Sequence, residues 1–145
     1  MCLKYFFDKP KGLQPPQGLI DINMDEIQQV LTKEVPHAAI YLSDSTYRTI
    51  SIHELMRFLK DDKTNEYRYV SEYMDCDDYS YHLMGSIHNV EWGALPFGIT
   101  WTSTPNGAHA CNCFIDNDHI LWFIEPQKDN IFRLPMGWVP YLVII

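Results

Sequence analysis

The sequence has few basic residues and no long apolar run. Its 145 residues include 11 Lys and Arg against 19 Asp and Glu, which gives a net charge of −8. Proteins bind nucleic-acid backbones mainly through Lys and Arg, so this balance argues against nucleic acid as a partner. No stretch of 18 apolar residues occurs, so we expect no membrane-spanning helix and no membrane partner.

Signals for export and for several domains are also missing. The opening residues, MCLKYFFDKPKGL, contain a short apolar patch interrupted by Asp8 and Lys9, unlike the apolar region of a secretory signal. The sequence therefore predicts a cytoplasmic protein with no internal repeat or interdomain linker. In that compartment we expect reduced thiols rather than disulfides at the four cysteines, which are Cys2, Cys76, Cys111 and Cys113.

The order of helical and strand patterns predicts one α+β domain. Residues 1–22 are expected to form an irregular arm, and residues 23–145 the domain, with a helical half over about 23–92 and an antiparallel sheet half over about 93–145. Capping residues predict where the helices begin. The expected helices cover 24–35, a segment from Ser51 and 76–88, and the expected strands cover 37–43, 97–103, 108–115, 120–126, 130–134 and 138–145.

A hairpin over HACNCFIDNDHILWFIEPQ brings a histidine and a glutamate together. If its loop is the three residues 116–118, His109 lies opposite Glu125 on one face of the sheet. The same register places Trp122 on the other face. Glu125 could then accept the proton of one imidazole nitrogen and leave the other nitrogen free as a base.

Cys76 is predicted at the first turn of a helix, within DCDDYS. Helix N-terminal amides and a nearby imidazolium both lower the pKa of a thiol. Asp75, Asp77 and Asp78 would raise the pKa if they lie close. The sequence thus predicts a nucleophile, a base and an orienting acid in the order Cys76, His109, Glu125.

These motifs resemble the papain-like cysteine peptidase superfamily. More closely, CDD at a helix start, GAHACNCFID on a strand and LWFIEPQ on the next strand resemble the C-terminal domain of the fairy-ring mushroom (Marasmius) agglutinin and its bacterial and phage relatives. The resemblance covers about residues 69–132. It implies a papain-like α+β fold in which N-terminal helices pack on a C-terminal antiparallel sheet.

The resemblance also implies a function. Cys76 would be the nucleophile, His109 the general base and acid, and Glu125 the orienting residue of a thiol hydrolase that cleaves a peptide or amide bond through a thioester. The partner would be a peptide or protein substrate, with Gln127 and Trp101 lining its groove. No cofactor is required by the sequence, but the resemblance implies calcium, for which the candidate ligands are Asp77, Asp78, Asp116 and Asp118.

Three alternatives stay open from the sequence. The domain could be a catalytically silent papain-fold binding or regulatory domain, or a transglutaminase-type acyl transferase that uses the same triad. His109, Cys111 and Cys113 could also form a zinc site with Cys76 as the fourth ligand. The sequence does not specify the oligomeric state, although Pro140 predicts a sheet edge or a bulge in the last strand.

Overall fold

The structure is a computed structural model that describes residues 14–145, so most of the predicted arm over 1–22 lies outside the described residues. Within this range the chain forms three α-helices and eight β-strands, and more residues lie in strands than in helices. The elements are β1 (Ile20–Asn23), α1 (Met24–Glu34), β2 (Ala39–Tyr41), β3 (Thr46–Thr49), α2 (Ile52–Asp61), α3 (Cys76–Ile87), β4 (Phe97–Thr104), β5 (Gly107–Ile115), β6 (Leu121–Glu125), β7 (Asn130–Phe132) and β8 (Val139–Ile144).

The three helices begin where their capping residues predict. Asn23 caps α1. The Ser51 hydroxyl accepts a hydrogen bond from the Glu54 amide at 3.3 Å, and the Asp78 carboxylate accepts one from the Asp75 amide at 3.1 Å. These bonds satisfy backbone N–H groups that have no partner inside the helix. The predicted start of α3 at Cys76 is confirmed.

The main sheet has six strands in the order β2-β8-β4-β5-β6-β7, and β1 pairs with β3 in a separate two-stranded sheet. All pairs are antiparallel except β2 with β8, which is parallel. The prediction of a purely antiparallel, C-terminal sheet is therefore wrong, because the N-terminal half supplies an edge strand. A parallel pair joins segments that are distant in sequence, so no hairpin signal marks it.

The sequence patterns did not predict β1 and β3. Residues 46–49 follow a polar turn, yet Tyr47 and Thr49 are almost fully buried. The Tyr47 hydroxyl donates to the Ile145 carbonyl at 3.3 Å, and the Thr49 hydroxyl donates to the Ile115 carbonyl at 2.6 Å. These bonds attach the small sheet to the large one.

Two apolar clusters cover the two faces of the main sheet. On one face α1 contributes Ile27 and Leu31, which pack in a cluster with Cys111, Cys113 and Phe123. On the other face α2 and α3 supply apolar side chains against the sheet residues Phe97, Phe114 and Ile124, and the helix residues of this cluster are Leu55, Phe58, Leu59, Leu83 and Ile87. Burial on both faces explains why the central strands are nearly continuous apolar runs.

The β5–β6 hairpin differs from its prediction by two residues. Ile115 pairs with Leu121, and Phe114 pairs with Trp122. The predicted three-residue loop is therefore wrong, since the loop is longer and closes with the Asp116 amide donating to the Ile120 carbonyl. Because side chains alternate with a period of two, this shift keeps Glu125 on the same face as His109.

The last strand contains the irregularity that its proline predicts. The β4–β8 register shifts between Trp101 and Thr102, and Thr102 pairs with Pro140. The prediction of an edge or a bulge at Pro140 is confirmed by this bulge, and β2 pairs with β8 only at Leu142–Ile144, beyond the proline. Across residues 14–145, no helix combines the length and apolarity needed to cross a membrane.

Candidate functional site

The site forms where β6 separates from β5. The pairing of these strands begins at Asn112 with Ile124 and runs to Ile115 with Leu121, so the first half of β5 has no β6 partner. The N-terminus of α3 lies at this opening, and the Ala110 backbone N–H donates toward the Cys76 thiol. Cys76 therefore lies beside the strand residue that follows His109.

His109 and Glu125 are hydrogen-bonded. His109 Nε2 lies 2.9 Å from Glu125 Oε2, and the two side chains are 21% and 19% exposed. Since an ionised carboxylate only accepts, Nε2–H donates, and Nδ1 of the neutral ring is left as an acceptor. The register makes this a diagonal contact between strands rather than the directly opposed pair that the sequence predicted. Trp138 packs edge-on against the imidazole, with ring centroids 5.4 Å apart.

The thiol of Cys111 lies close enough to both Cys76 and Glu125 for their charges to act on it. This thiol is completely buried, and burial is the main reason its pKa is raised far above the ordinary value. The charges of Cys113, Glu125 and Cys76 raise it further, which places Glu125 and Cys76 within electrostatic range of the same thiol. The structure thus brings the predicted residues Cys76, His109 and Glu125 into one region.

Opposing influences act on the Cys76 thiol. Burial raises its pKa most strongly, the Ala110 N–H lowers it, and the charges of Asp75 and Asp77 raise it again. The net pKa is raised, so the prediction of a lowered pKa is wrong for the free protein. The physical reason is that half-burial and two nearby carboxylates outweigh the helix amides. The thiol is therefore protonated at neutral pH.

The two carboxylates that flank Cys76 are hydrogen-bonded to each other. A hydrogen bond between them lowers the pKa of Asp75 and raises the pKa of Asp77, as expected when two acids share a proton. One oxygen of each carboxylate and the Cys76 sulfur lie within 4.8 Å of one another. Among residues 14–145 this is the one group of three or more His, Cys, Asp or Glu ligand atoms that is this compact.

The predicted calcium ligands do not form one group. Asp78 accepts the Asp75 amide. The Asp116 carboxylate accepts the Asp118 and Ile120 amides and the Trp122 indole N–H, at 3.0, 2.9 and 2.7 Å. These bonds make Asp116 part of the hairpin turn. Calcium dependence stays an untested expectation that came from the family resemblance.

The alternative zinc site is not formed in the described part of the chain. Cys111 and Cys113 are both fully buried in the core on the α1 face. Burial raises the pKa of Cys113 to about 12, whereas zinc requires thiolates. Their sulfur atoms do not form a compact ligand group with His109.

Aromatic residues and Gln127 border the site. Trp101 of β4 pairs with Ala110, is half-buried and contacts Tyr81 of α3 edge-on, with centroids 6.1 Å apart. The backbone N–H of Gln127 donates to Glu125 Oε1 at 3.4 Å. Sequence reasoning missed Tyr81 and Trp138, because their contacts depend on how α3 and β8 pack.

The fold is similar to that of a fungal lectin. A complex of PSL1a with the compound E64 matches with a TM-score of 0.75 and 23% identity over 86% of this chain and 51% of that chain. The lectin of Polyporus squamosus, bound to the human-type influenza-binding epitope Neu5Acα2-6Galβ1-4GlcNAc, matches with a TM-score of 0.73 and 21% identity over 86% and 49%. The chain thus spans about half the length of these structures. No protein-family model and no curated protein matches it.

These comparisons correct the predicted family, activity and partner. The matching structures are of a lectin, a sugar-binding protein, and neither is described as a peptidase. On this finding, the assignment to the papain-like cysteine peptidases and the papain-like fold is wrong, as is the prediction of an enzyme of the peptidase or amidase class. The predicted peptide or protein substrate is corrected with them.

Proposed function

We propose that this chain is a ligand-binding domain whose site is the region of Cys76, His109 and Glu125. The observation that supports this most directly is the hydrogen bond of 2.9 Å between His109 of β5 and Glu125 of β6. The next residue of β5, Ala110, donates its backbone N–H toward Cys76. A partly exposed, hydrogen-bonded histidine and carboxylate beside a thiol give a ligand both polar and nucleophilic groups. The surrounding aromatic rings, Trp101, Tyr81 and Trp138, supply apolar contact surface.

The ligand class we propose first is a small electrophile of the E64 type, because E64 is the compound in one matching complex. E64 carries an epoxide. His109 Nδ1 would take the Cys76 proton, and the sulfur would attack an epoxide carbon. A C–S bond forms, a C–O bond breaks, and the released oxygen takes up the proton. In this step Cys76 is the reacting residue, His109 the proton acceptor and Glu125 the orienting residue.

Mapping of the E64 adduct tests this proposal. The protein is incubated with E64 at pH 7.5, digested and examined by mass spectrometry for each cysteine. We expect an adduct on Cys76 and none on the buried Cys111 and Cys113. Cys76→Ser should lose the adduct, and the control Cys2→Ser should keep it. An adduct on Cys2 alone, or none, would overturn the proposal.

A second ligand class is a sialylated glycan, which the other matching structure favours because that lectin holds Neu5Acα2-6Galβ1-4GlcNAc. Exposed aromatic rings stack on sugars, and Tyr81 is 53% exposed beside Trp101. We expect saturable NMR shifts at Trp101 on titration with the trisaccharide, and weaker shifts with Galβ1-4GlcNAc. Absence of any saturable shift would reject glycan binding and would leave the E64 result unaffected.

A further inference from the structure

A cleft that is separate from the Cys76 site lies between α2 and the β6–β7 edge of the sheet. Its volume is about 460 Å³, within the usual range of small-molecule sites. The walls are mostly apolar and come from both elements. The lining residues are Ile52, Met56, Leu59 and Lys60 of α2, Trp122 of β6, and Asp129, Asn130 and Ile131 at and before β7.

Asp129 is the unusual member of this lining. Its Oδ2 accepts a hydrogen bond from the Asn65 side chain at 2.5 Å, whereas its Oδ1 is buried and has no hydrogen-bond partner. A buried carboxylate oxygen without a hydrogen-bond donor costs free energy, so a cation that approaches this carboxylate should stabilise it. Burial and the charge of Asp62 raise the pKa of Asp129 to about 6, against a smaller lowering by Lys63.

The nearby cations are mostly engaged elsewhere. Lys63 pairs with Glu66 at 2.7 Å. Arg133, whose guanidinium lies over the Trp122 ring at 5.5 Å, pairs with Glu34 at 2.9 Å. Lys60 is the one cationic residue of the described chain that lines the cleft, and it is not among the charges that shift the pKa of Asp129. Among residues 14–145, the carboxylate of Asp129 therefore has no cation paired with it that a ligand's ammonium group would have to displace.

We propose that this cleft is a second binding site, for a small apolar molecule that carries one ammonium group. The apolar part would contact Ile52, Met56 and Trp122, and the ammonium would donate to Asp129. This arrangement buries apolar surface and places the ammonium charge beside the carboxylate of Asp129. The proposal is independent of the Cys76 site, since the two share no residue.

Titration with 2-phenylethylammonium chloride tests the site. The indole N–H resonance of Trp122, which donates to Asp116, is followed by ¹H–¹⁵N NMR at pH 7.5. We expect saturable binding, and about tenfold weaker binding of the neutral analogue 2-phenylethanol, because it lacks the charge-assisted hydrogen bond. Equal binding of both compounds, or no saturable shift, would overturn the proposal.

Variants separate the charge from the apolar contacts. Asp129→Asn should weaken binding about tenfold, and its backbone is suited to Asn because its φ of 53° is a left-handed conformation that Asn tolerates. Lys60→Gln should strengthen binding about twofold, since it removes a like charge. The control Asp118→Asn should change nothing. Weaker binding of 2-phenylethylammonium to Lys60→Gln than to the wild type would contradict the proposal.

The pH dependence provides a test on the unmodified protein. With the pKa of Asp129 at about 6, the carboxylate is ionised at pH 7.5 and about nine-tenths protonated at pH 5. The groups that face it are Asp62, Lys63 and Asn65 on one side and Lys60 across the cleft. Binding of the ammonium should weaken about tenfold at pH 5. A constant affinity between the two pH values would overturn the role of Asp129.

Discussion

At the scale of single residues, the chemistry of Cys76 depends on its immediate neighbours. Burial raises its pKa, and the carboxylates of Asp75 and Asp77 add to this, while the backbone N–H groups of Ala110 and Asp77 lower it. Reaction of the thiol at neutral pH therefore needs a proton acceptor. In the reaction we propose, His109, whose Nε2 is hydrogen-bonded to Glu125, accepts this proton.

The charge of Asp77 gives a prediction at this scale. Asp77→Asn removes a negative charge beside the thiol, so the pKa of Cys76 should fall and its thiolate fraction at pH 7 should rise. We expect alkylation of Cys76 by iodoacetamide to accelerate about two- to fivefold at pH 7. Asp25→Asn, at the same position of α1, is the matched control. An unchanged rate in Asp77→Asn would show that the carboxylate does not act on the thiol.

At the scale of elements, one buried amide attaches the helix that carries Cys76 to the sheet. Asn112 of β5 is fully buried, and its Nδ2 donates to the Ser80 carbonyl of α3 at 2.9 Å and to the Gly98 carbonyl of β4 at 3.0 Å. Gly98 itself lies against β8, since a Cβ there would come within 1.9 Å of the Ile144 carbonyl oxygen. These contacts fix α3 over β4 and β5.

Loss of this amide should weaken the packing of α3. Asn112→Ala removes both hydrogen bonds and leaves a small void, so we expect the free energy of unfolding to fall by about 2–4 kcal/mol. Chemical denaturation followed by far-UV circular dichroism measures it. Asn106→Ala, in the exposed β4–β5 turn, should change stability by less than about 0.5 kcal/mol. A similar small change in Asn112→Ala would mean that the amide does not hold the two elements together.

Elements marked by local signals were predictable from the sequence. Asn23, Ser51 and Asp75 marked the helix starts, and short β-branched and aromatic runs separated by turn residues marked β4 to β8. The strands β1, β2 and β3 pair with distant partners, so their pairing was not predictable. The contact of His109 with Glu125 was predicted from a strand register that differs by two residues from the observed one. The contact still forms because the long Glu125 side chain reaches the diagonal position on the neighbouring strand.

At the scale of the whole molecule, the raised pKa of Asp129 makes the stability of the fold depend on pH. Its folded-state pKa of about 6 lies above the ordinary value of 3.8. The folded protein therefore binds this proton more strongly than the unfolded chain, so the contribution of Asp129 to stability is most favourable below pH 4 and is lost as the pH rises through 6. The carboxylate is partly solvated, so screening reduces the effect.

This linkage predicts a stabilising substitution. Asp129→Asn removes the ionisation penalty, so the free energy of unfolding at pH 7.5 should rise by about 1 kcal/mol, and the difference should disappear at pH 4. Thermal unfolding at the two pH values measures it, with Asp118→Asn as the control for a general charge effect. A variant that is less stable at pH 7.5 would show that the ionised carboxylate is favourable in the fold.

The central claim is that Cys76, His109 and Glu125 act as one site, and the rate of E64 addition to Cys76 tests it most directly. Second-order rates are measured at pH 7.5 for the wild type, His109→Gln and the control His53→Gln, which changes an exposed histidine of α2. Loss of a proton acceptor should slow addition about a hundredfold in His109→Gln and leave His53→Gln unchanged. Equal rates in all three proteins would show that His109 does not serve Cys76 and would contradict the account.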